Sequence, residues 1–218
     1  MRIRSEITPL YDAEYYDCKL STDNIKDLEY SPDNYDEIKL RKAKIKVYDD
    51  KVDLDTGDED EIFVAYMEVY LMEVTDEFVD VADAYSGDLC SAMEKLYLVS
   101  KHLNTEDEDY GTTYGYIHVL YVNPKYRKRG ISSFLLRNLS EILATHHNIE
   151  NLSMVAIYKH ITDIHIDNEC DEVQVGFSNR MGEEDVKKLE VMTKNLISNG
   201  FELCTKSNND WYYRRYNY

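Results

Sequence analysis

A run that is apolar on both of its alternating faces, Tyr114 to Val122, leads through a basic turn with a single glycine, Gly130, into a segment of helical apolar spacing. A strand of that kind must be covered above and below, so it belongs inside a layered fold rather than at an edge. Pro124 ends it. Past Gly130, Ile131, Phe134, Leu135, Leu139, Ile142 and Leu143 recur three and four residues apart, which predicts one apolar helical stripe with Arg137 and Glu141 facing away. The helix therefore begins close to Gly130. Unpaired backbone N–H groups at a helix start attract anions, and Arg127, Lys128 and Arg129 add positive charge. The guest this implies is a pyrophosphate.

At these residues the chain resembles the GNAT superfamily of acetyl-CoA-dependent N-acyltransferases. That family's signature is Arg or Gln, two residues, Gly, one residue, then Gly or Ala, after a hydrophobic strand and often a Pro. Here it reads Arg127-Lys128-Arg129-Gly130-Ile131-Ser132, preceded by Val122-Asn123-Pro124-Lys125-Tyr126. Ser132 departs from the pattern, yet it is small enough for close backbone approach and its hydroxyl can donate to a phosphate.

The resemblance implies an α/β (α+β) fold with a mixed, mostly antiparallel central sheet flanked by helices. It covers roughly residues 39 to 216 of a single domain, after an acidic N-terminal segment of residues 1 to 38. Within that segment Arg2 to Thr8 has the character of a short strand, and Ser31-Pro32-Asp33-Asn34 reads as a turn. Residues 39 to 48 alternate, with Ala43, Ile45 and Val47 on one face and Lys42, Lys44 and Lys46 on the other. The acidic stretch around Gly57 breaks calcium-loop spacing and reads as a solvated hairpin tip. Residues 62 to 74 form a central strand, and 77 to 103 carry helical spacing with an interruption at Ser86-Gly87. Relative to the family this helical segment is an insertion, suited to cover the substrate opening, cap a sheet edge or build a dimer surface. Glu106 to Asp109 reads as a solvated loop. Leu152 to Tyr158 is a further strand, splayed from its predecessor if the resemblance holds, and residues 159 to 182 suggest an extra hairpin. A helix with the stripe Val186, Leu189, Leu196 and Ile197 ends at Asn199-Gly200, followed by a closing hairpin.

Of 218 residues, 43 are acidic and 25 basic, giving a formal net charge of −18. Phosphate repulsion opposes nucleic acid as a partner, whereas a cationic amine or a basic protein segment is drawn to such a field. Cys18, Cys90, Cys170 and Cys204 form no C-x-x-C pair and read as reduced thiols. The first residues lack the apolar run of a signal peptide and no stretch reaches membrane-spanning length, so the expected location is cytoplasmic, with no membrane partner. His160, Asp163, His165, Asp167 and Cys170 read as a polar hairpin rather than a metal site. No metal is expected.

Acetyl transfer from a thioester to an amine needs a neutral amine, a stabilised oxyanion and a proton for the departing thiolate. The resemblance implies acetyl-CoA as co-substrate, the backbone N–H of Leu120 at the thioester carbonyl, Val122 against pantetheine, and the backbone of Arg129 to Ser132, including Ile131, at the pyrophosphate. His118, with Tyr116 two residues earlier on the same face, offers a base near neutrality. Some members carry a His-x-His pair here; the second is kept as His118 and the first is Tyr116. A buried, hydrogen-bonded histidine explains His118 equally well. Where the family often has a tyrosine acid, this chain has Leu196, which leaves Tyr158 or water to protonate the sulfur. His146 and His147 read as favourable charge at a helix C-terminus. Two functions fit: an N-acetyltransferase acting on a primary amine, or an acidic GNAT-fold protein that binds a basic partner. The extra hairpin is compatible with a homodimer.

Overall fold

A computed structural model of the protein describes residues 2–9, 40–52, 59–160, 162–167, 172–177, 183–204 and 210–216. Strands β1 (Arg2–Pro9), β2 (Leu40–Val52), β3 (Glu59–Glu73), β4 (Thr113–Val122), β5 (Leu152–Tyr158), β8 (Glu202–Leu203) and β9 (Trp211–Arg215) form one sheet in the order β1-β2-β3-β4-β5-β9-β8. Among the described residues, β4 and β5 are the one parallel pair of this sheet. A parallel neighbour needs a crossover. Helices α4 (Ile131–Arg137) and α5 (Leu139–His147) supply it. Between β3 and β4 lie α1 (Phe78–Tyr85), α2 (Gly87–Leu103) and the single turn α3 (Glu106–Asp109). The hairpin β6 (Thr162–Asp167) and β7 (Glu172–Phe177) forms its own two-stranded sheet, and α6 (Glu183–Ser198) precedes β8.

The period-two patterns divide the core into two layers. Ala43, Ile45, Val47, Met67, Val69, Leu71, Val155 and Ile157 face α4, α5 and Leu196 of α6. On the opposite face Met72, Tyr114, Tyr116, Met154, Ala156 and Trp211 pack against Phe78, Val81, Leu89, Met93 and Leu96 of α1 and α2. Ser86 separates α1 from α2 as an N-cap, its Oγ accepting the Leu89 N–H at 3.1 Å. The sequence places this break, the strand at 39–48 and the hairpin within 159–182 correctly.

Several expectations are corrected. Residues 106–109 are a helical turn, not a solvated loop: Asp109 is 2% exposed and its carboxylate accepts from Thr105 Oγ1 at 3.0 Å, Tyr114 Oη at 3.1 Å and Ser153 Oγ. Phe134 is exposed, as are Val186 and Ile197. Beside the buried Leu196, polar groups also join α4 to α6, with Asn195 Nδ2 donating to Ser132 Oγ at 3.1 Å, Ser133 Oγ to Asn195 Oδ1 at 2.8 Å and Asn199 Nδ2 to Ser133 Oγ at 3.1 Å. His147 does not serve as a charged helix terminus. Burial first, then His146 and Arg41, hold its imidazole below the ordinary value, and its Nε2 meets Ser5 Oγ of β1. The Ser31–Asn34 turn, the loop around Gly57, Cys18 and Cys170 lie outside the described residues. Among those residues, no helix is long and apolar enough to cross a membrane.

Candidate active site

Strand β4 is paired with β3 from Thr113 to Val122 but with β5 only from Thr113 to Ile117. From His118 onward, no strand of the sheet pairs with that second edge among the described residues, although β6 of the separate hairpin comes close to β4. The register against β3 also slips here: Val69 faces Ile117 and Glu68 faces Val119, so His118 is an extra residue. A bulge of this kind turns later side chains to the opposite face. Tyr116 and His118 therefore share the α1–α2 side, while Leu120 and Val122 pack with the α4–α5 core.

At the end of β4, Asn123 Nδ2 donates to the Phe63 carbonyl at 3.0 Å, and Asn123 Oδ1 accepts from the Lys125 N–H at 3.1 Å. Residues 124–126 make a 3₁₀ turn. Lys128 and Gly130 then adopt left-handed φ values of 63° and 79°. Only glycine takes that conformation without cost. A Cβ built at Gly130 would meet no protein atom within 4 Å, and Arg127, Lys128 and Arg129 are exposed. The Arg127 side chain bends back, Nε donating to the Val122 carbonyl at 3.0 Å, and the Arg129 guanidinium stands 4.9 Å from the Tyr126 ring centroid. This open, basic turn at a helix start fits a diphosphate. Ser132, read from sequence as a phosphate donor, is also tied to α6 through Asn195.

His118 and Tyr116 come together, His118 Nδ1 lying 3.3 Å from Tyr116 Oη. Burial is the main reason the imidazole is held below its ordinary 6.5, opposed by Glu68 and Asp88 and assisted by Lys42. The Tyr116 phenol is pushed up, again mainly by burial. Around them stand Tyr70, 5.6 Å from the His118 ring, and Trp211, 5.6 Å from Tyr116 and 5.1 Å from Tyr158. His160 stacks on Tyr158 at 5.8 Å. Leu196 is far from this chemistry in kind as well as identity: it is fully buried in the apolar layer beneath α4 and α5.

The acetyltransferase (GNAT) family model matches residues 58–162. The matched stretch, just under half of the chain, is similar to a GNAT acetyltransferase domain. It contains the edge of β4 that β5 leaves unpaired, the bulge at His118 and the Gly130 turn, together with α1 and α2. No curated protein matches the sequence. Among solved structures, Arabidopsis thaliana NAA60 with a bisubstrate analogue aligns over 98% of this chain and 100% of its own at 13% identity and a TM-score of 0.33. The same protein with acetyl-CoA aligns over 96% of each chain at 13% identity and a TM-score of 0.30. Scores this low transfer no residue role.

Away from His118 and the Gly130 turn, a cavity of about 520 Å³ opens between α1, α2 and α3, lined by Phe78, Tyr97, Leu98, Tyr110, Tyr114 and Glu94 among others. Tyr114 precedes His118 by four residues, about 13 Å along a strand, so this cavity is not the space beside the catalytic candidates. Among the described residues, no group of three or more His, Cys, Asp or Glu could hold a metal ion. Cys204 is half-buried, and the desolvation pushes its thiol up to about 12. Sequence reasoning passed over Glu68, Tyr70 and Trp211. One signal was present: a carboxylate, Glu68, in the middle of a strand apolar on both faces, where the strand's other acids, Glu59, Asp60, Glu61 and Glu73, lie at its ends.

Proposed function

We propose that this chain is an acetyl-CoA-dependent N-acetyltransferase that acts on a primary amine of a small molecule or a protein. The observation that carries the reading is the open edge of β4 from His118 to Val122, leading directly to the Gly130 turn. Acetyl-CoA, when bound, supplies an activated acyl group. The chain's part is to align and to move protons. The edge of β4 would receive the pantetheine arm as an added strand at Val122, with the Leu120 N–H at the thioester oxygen. The turn from Arg127 through Ser132 would hold the pyrophosphate.

His118 is the base in this reading. An imidazole held below 6.5 is neutral near pH 7 and accepts a proton from the incoming ammonium, directly or through water. The neutral amine nitrogen then bonds to the acetyl carbon as the carbon–sulfur bond breaks; the thiolate leaves with a proton from Tyr158 or water, and the second proton, shed by the nitrogen as it becomes an amide, passes through water to restore that donor. Tyr116 hydrogen-bonds the base and sets its ring. The net charge of −18 favours a cationic acceptor, and the cytoplasm is the expected location.

A second reading, an acidic GNAT-fold protein that binds a basic partner without much catalysis, draws on Leu196, whose buried place offers no hydroxyl. Isothermal titration with acetyl-CoA separates the two. The parent should bind and Gly130→Glu should not, because a side chain there combines backbone strain with a charge facing the phosphates. Absence of binding by the parent would remove the acetyltransferase reading.

A further inference from the structure

One ammonium group already sits beside the catalytic candidates on the α1–α2 face. Lys42 of β2 lies opposite Tyr70 of β3, and Tyr70 lies opposite Tyr116 of β4, so the three form a row across the sheet. Lys42 Nζ is 5.4 Å from the Tyr70 ring centroid and 3.7 Å from Glu68 Oε1. The other carboxylate oxygen of Glu68 accepts from Tyr66 Oη at 2.8 Å. The Tyr70 ring in turn stands 5.6 Å from His118, 6.2 Å from Tyr116 and 5.8 Å from Tyr85.

A carboxylate with a side chain only 9% exposed persists where a cation and hydrogen bonds compensate it. Tyr66 provides one hydrogen bond. Lys42 provides charge, but 3.7 Å exceeds the 2.7–3.2 Å of a formed N–H···O bond, so its ammonium is held loosely by charge and ring face. The Lys42 side chain is also 22% exposed, which leaves it a way out toward solvent. A carboxylate, an aromatic wall and a displaceable ammonium next to a base make a receptor for another ammonium.

We propose that Glu68 and Tyr70 seat the ammonium of the acceptor, a primary ammonium on an unbranched alkyl arm, and that Lys42 holds this seat in the chain alone. The class follows from the present occupant, which is itself an ammonium on four methylenes. Asp88, at the start of α2, adds to the negative field at His118 and Tyr116, so the inserted helices contribute to selection of a cation. A free diamine and a lysine side chain share this chemistry. The proposal rests on the acetyltransferase reading for its link to acetyl transfer, although the seat itself is a binding site that can be measured alone.

The test is isothermal titration of the full chain with cadaverine, with and without saturating CoA, for the parent, Lys42→Met, Glu68→Gln and the double variant. If the seat is open in about a tenth of parent molecules, Lys42→Met should bind cadaverine about tenfold more tightly. Glu68→Gln in the Lys42→Met background should remove that gain, and pentanol, which lacks the ammonium, should not bind. An end-blocked lysine peptide that binds more tightly than cadaverine assigns a protein acceptor; the reverse assigns a free polyamine. Equal cadaverine affinity in parent and Lys42→Met, or pentanol binding like cadaverine, overturns the seat. Should Glu68→Gln not fold, the Lys42→Met comparison still decides. Cadaverine binding without CoA binding would sink the acetyltransferase reading and leave the seat standing, and CoA binding without cadaverine binding would do the reverse.

Discussion

His118 Nδ1 and Tyr116 Oη stand 3.3 Å apart on β4, beside Ile117, the last residue at which that strand is paired with β5. In the proposed mechanism a histidine at the point where the sheet pairing ends is the base that reaches thioester and amine together. His118→Ala should therefore lower turnover about a hundredfold or more while leaving acetyl-CoA affinity within about twofold. In the proposed mechanism the neutral imidazole is the active form, and with its pKa lowered the rate should be flat near pH 7 and fall only on the acid side of 6.5. A pH–rate profile of kcat, with acetyl-CoA affinity measured alongside, checks both statements.

Stability should follow the same direction. His118, His147 and His160 are each held below the ordinary 6.5, burial being the largest cause in every case. The unfolded chain then binds more protons than the folded chain between the lowered values and 6.5, so stability rises with pH across that window and the contribution is complete above it. Melting temperature should fall as pH drops below about 6.5, with a shallower fall in His118→Asn.

Asp109 is a structural acid. Three hydroxyls, from Thr105, Tyr114 and Ser153, donate to one buried carboxylate and join the turn before β4 to β5. Asp109→Ala would leave those donors buried without an acceptor, a loss of about 3 kcal/mol. Urea denaturation should show it, with Asp109→Asn retaining part of the stability.

Gly115 sits opposite Val155 where β4 and β5 are still paired, and a Cβ there would come within 2.7 Å of Val155 Cγ1. Gly115→Ala should cost about 2 kcal/mol through overpacking. Val155→Ala in the same chain should recover much of that in a thermal melt. If Gly115→Ala alone is neutral, the two strands are not as closely paired as described.

Local pattern carried most of the fold. The apolar run of β4, the glycine of left-handed φ at position 130 and the alternation of Ala43, Ile45 and Val47 each state a local preference that the packed structure keeps. What was missed depends on partners distant in sequence. Glu106 to Asp109 has the composition of a solvated run, yet Asp109 meets Ser153, 44 residues away. Val186 and Ile197 have helical spacing, but Ser132, Ser133, Asn195 and Asn199 bring α4 and α6 together through amide and hydroxyl groups, which hydrophobic periodicity does not register. Likewise Glu68 stood out only as a carboxylate in an apolar strand, and its relation to Lys42 and Tyr70 required the register of β2 on β3.

Transfer of an isotopically labelled acetyl group tests the central claim most directly. With labelled acetyl-CoA and cadaverine or an end-blocked lysine peptide, the account predicts a labelled N-acetyl amide formed one for one with free CoA, abolished in Gly130→Glu and strongly reduced in His118→Ala. Labelled acetyl-CoA recovered intact after prolonged incubation with the parent and both amines would contradict it.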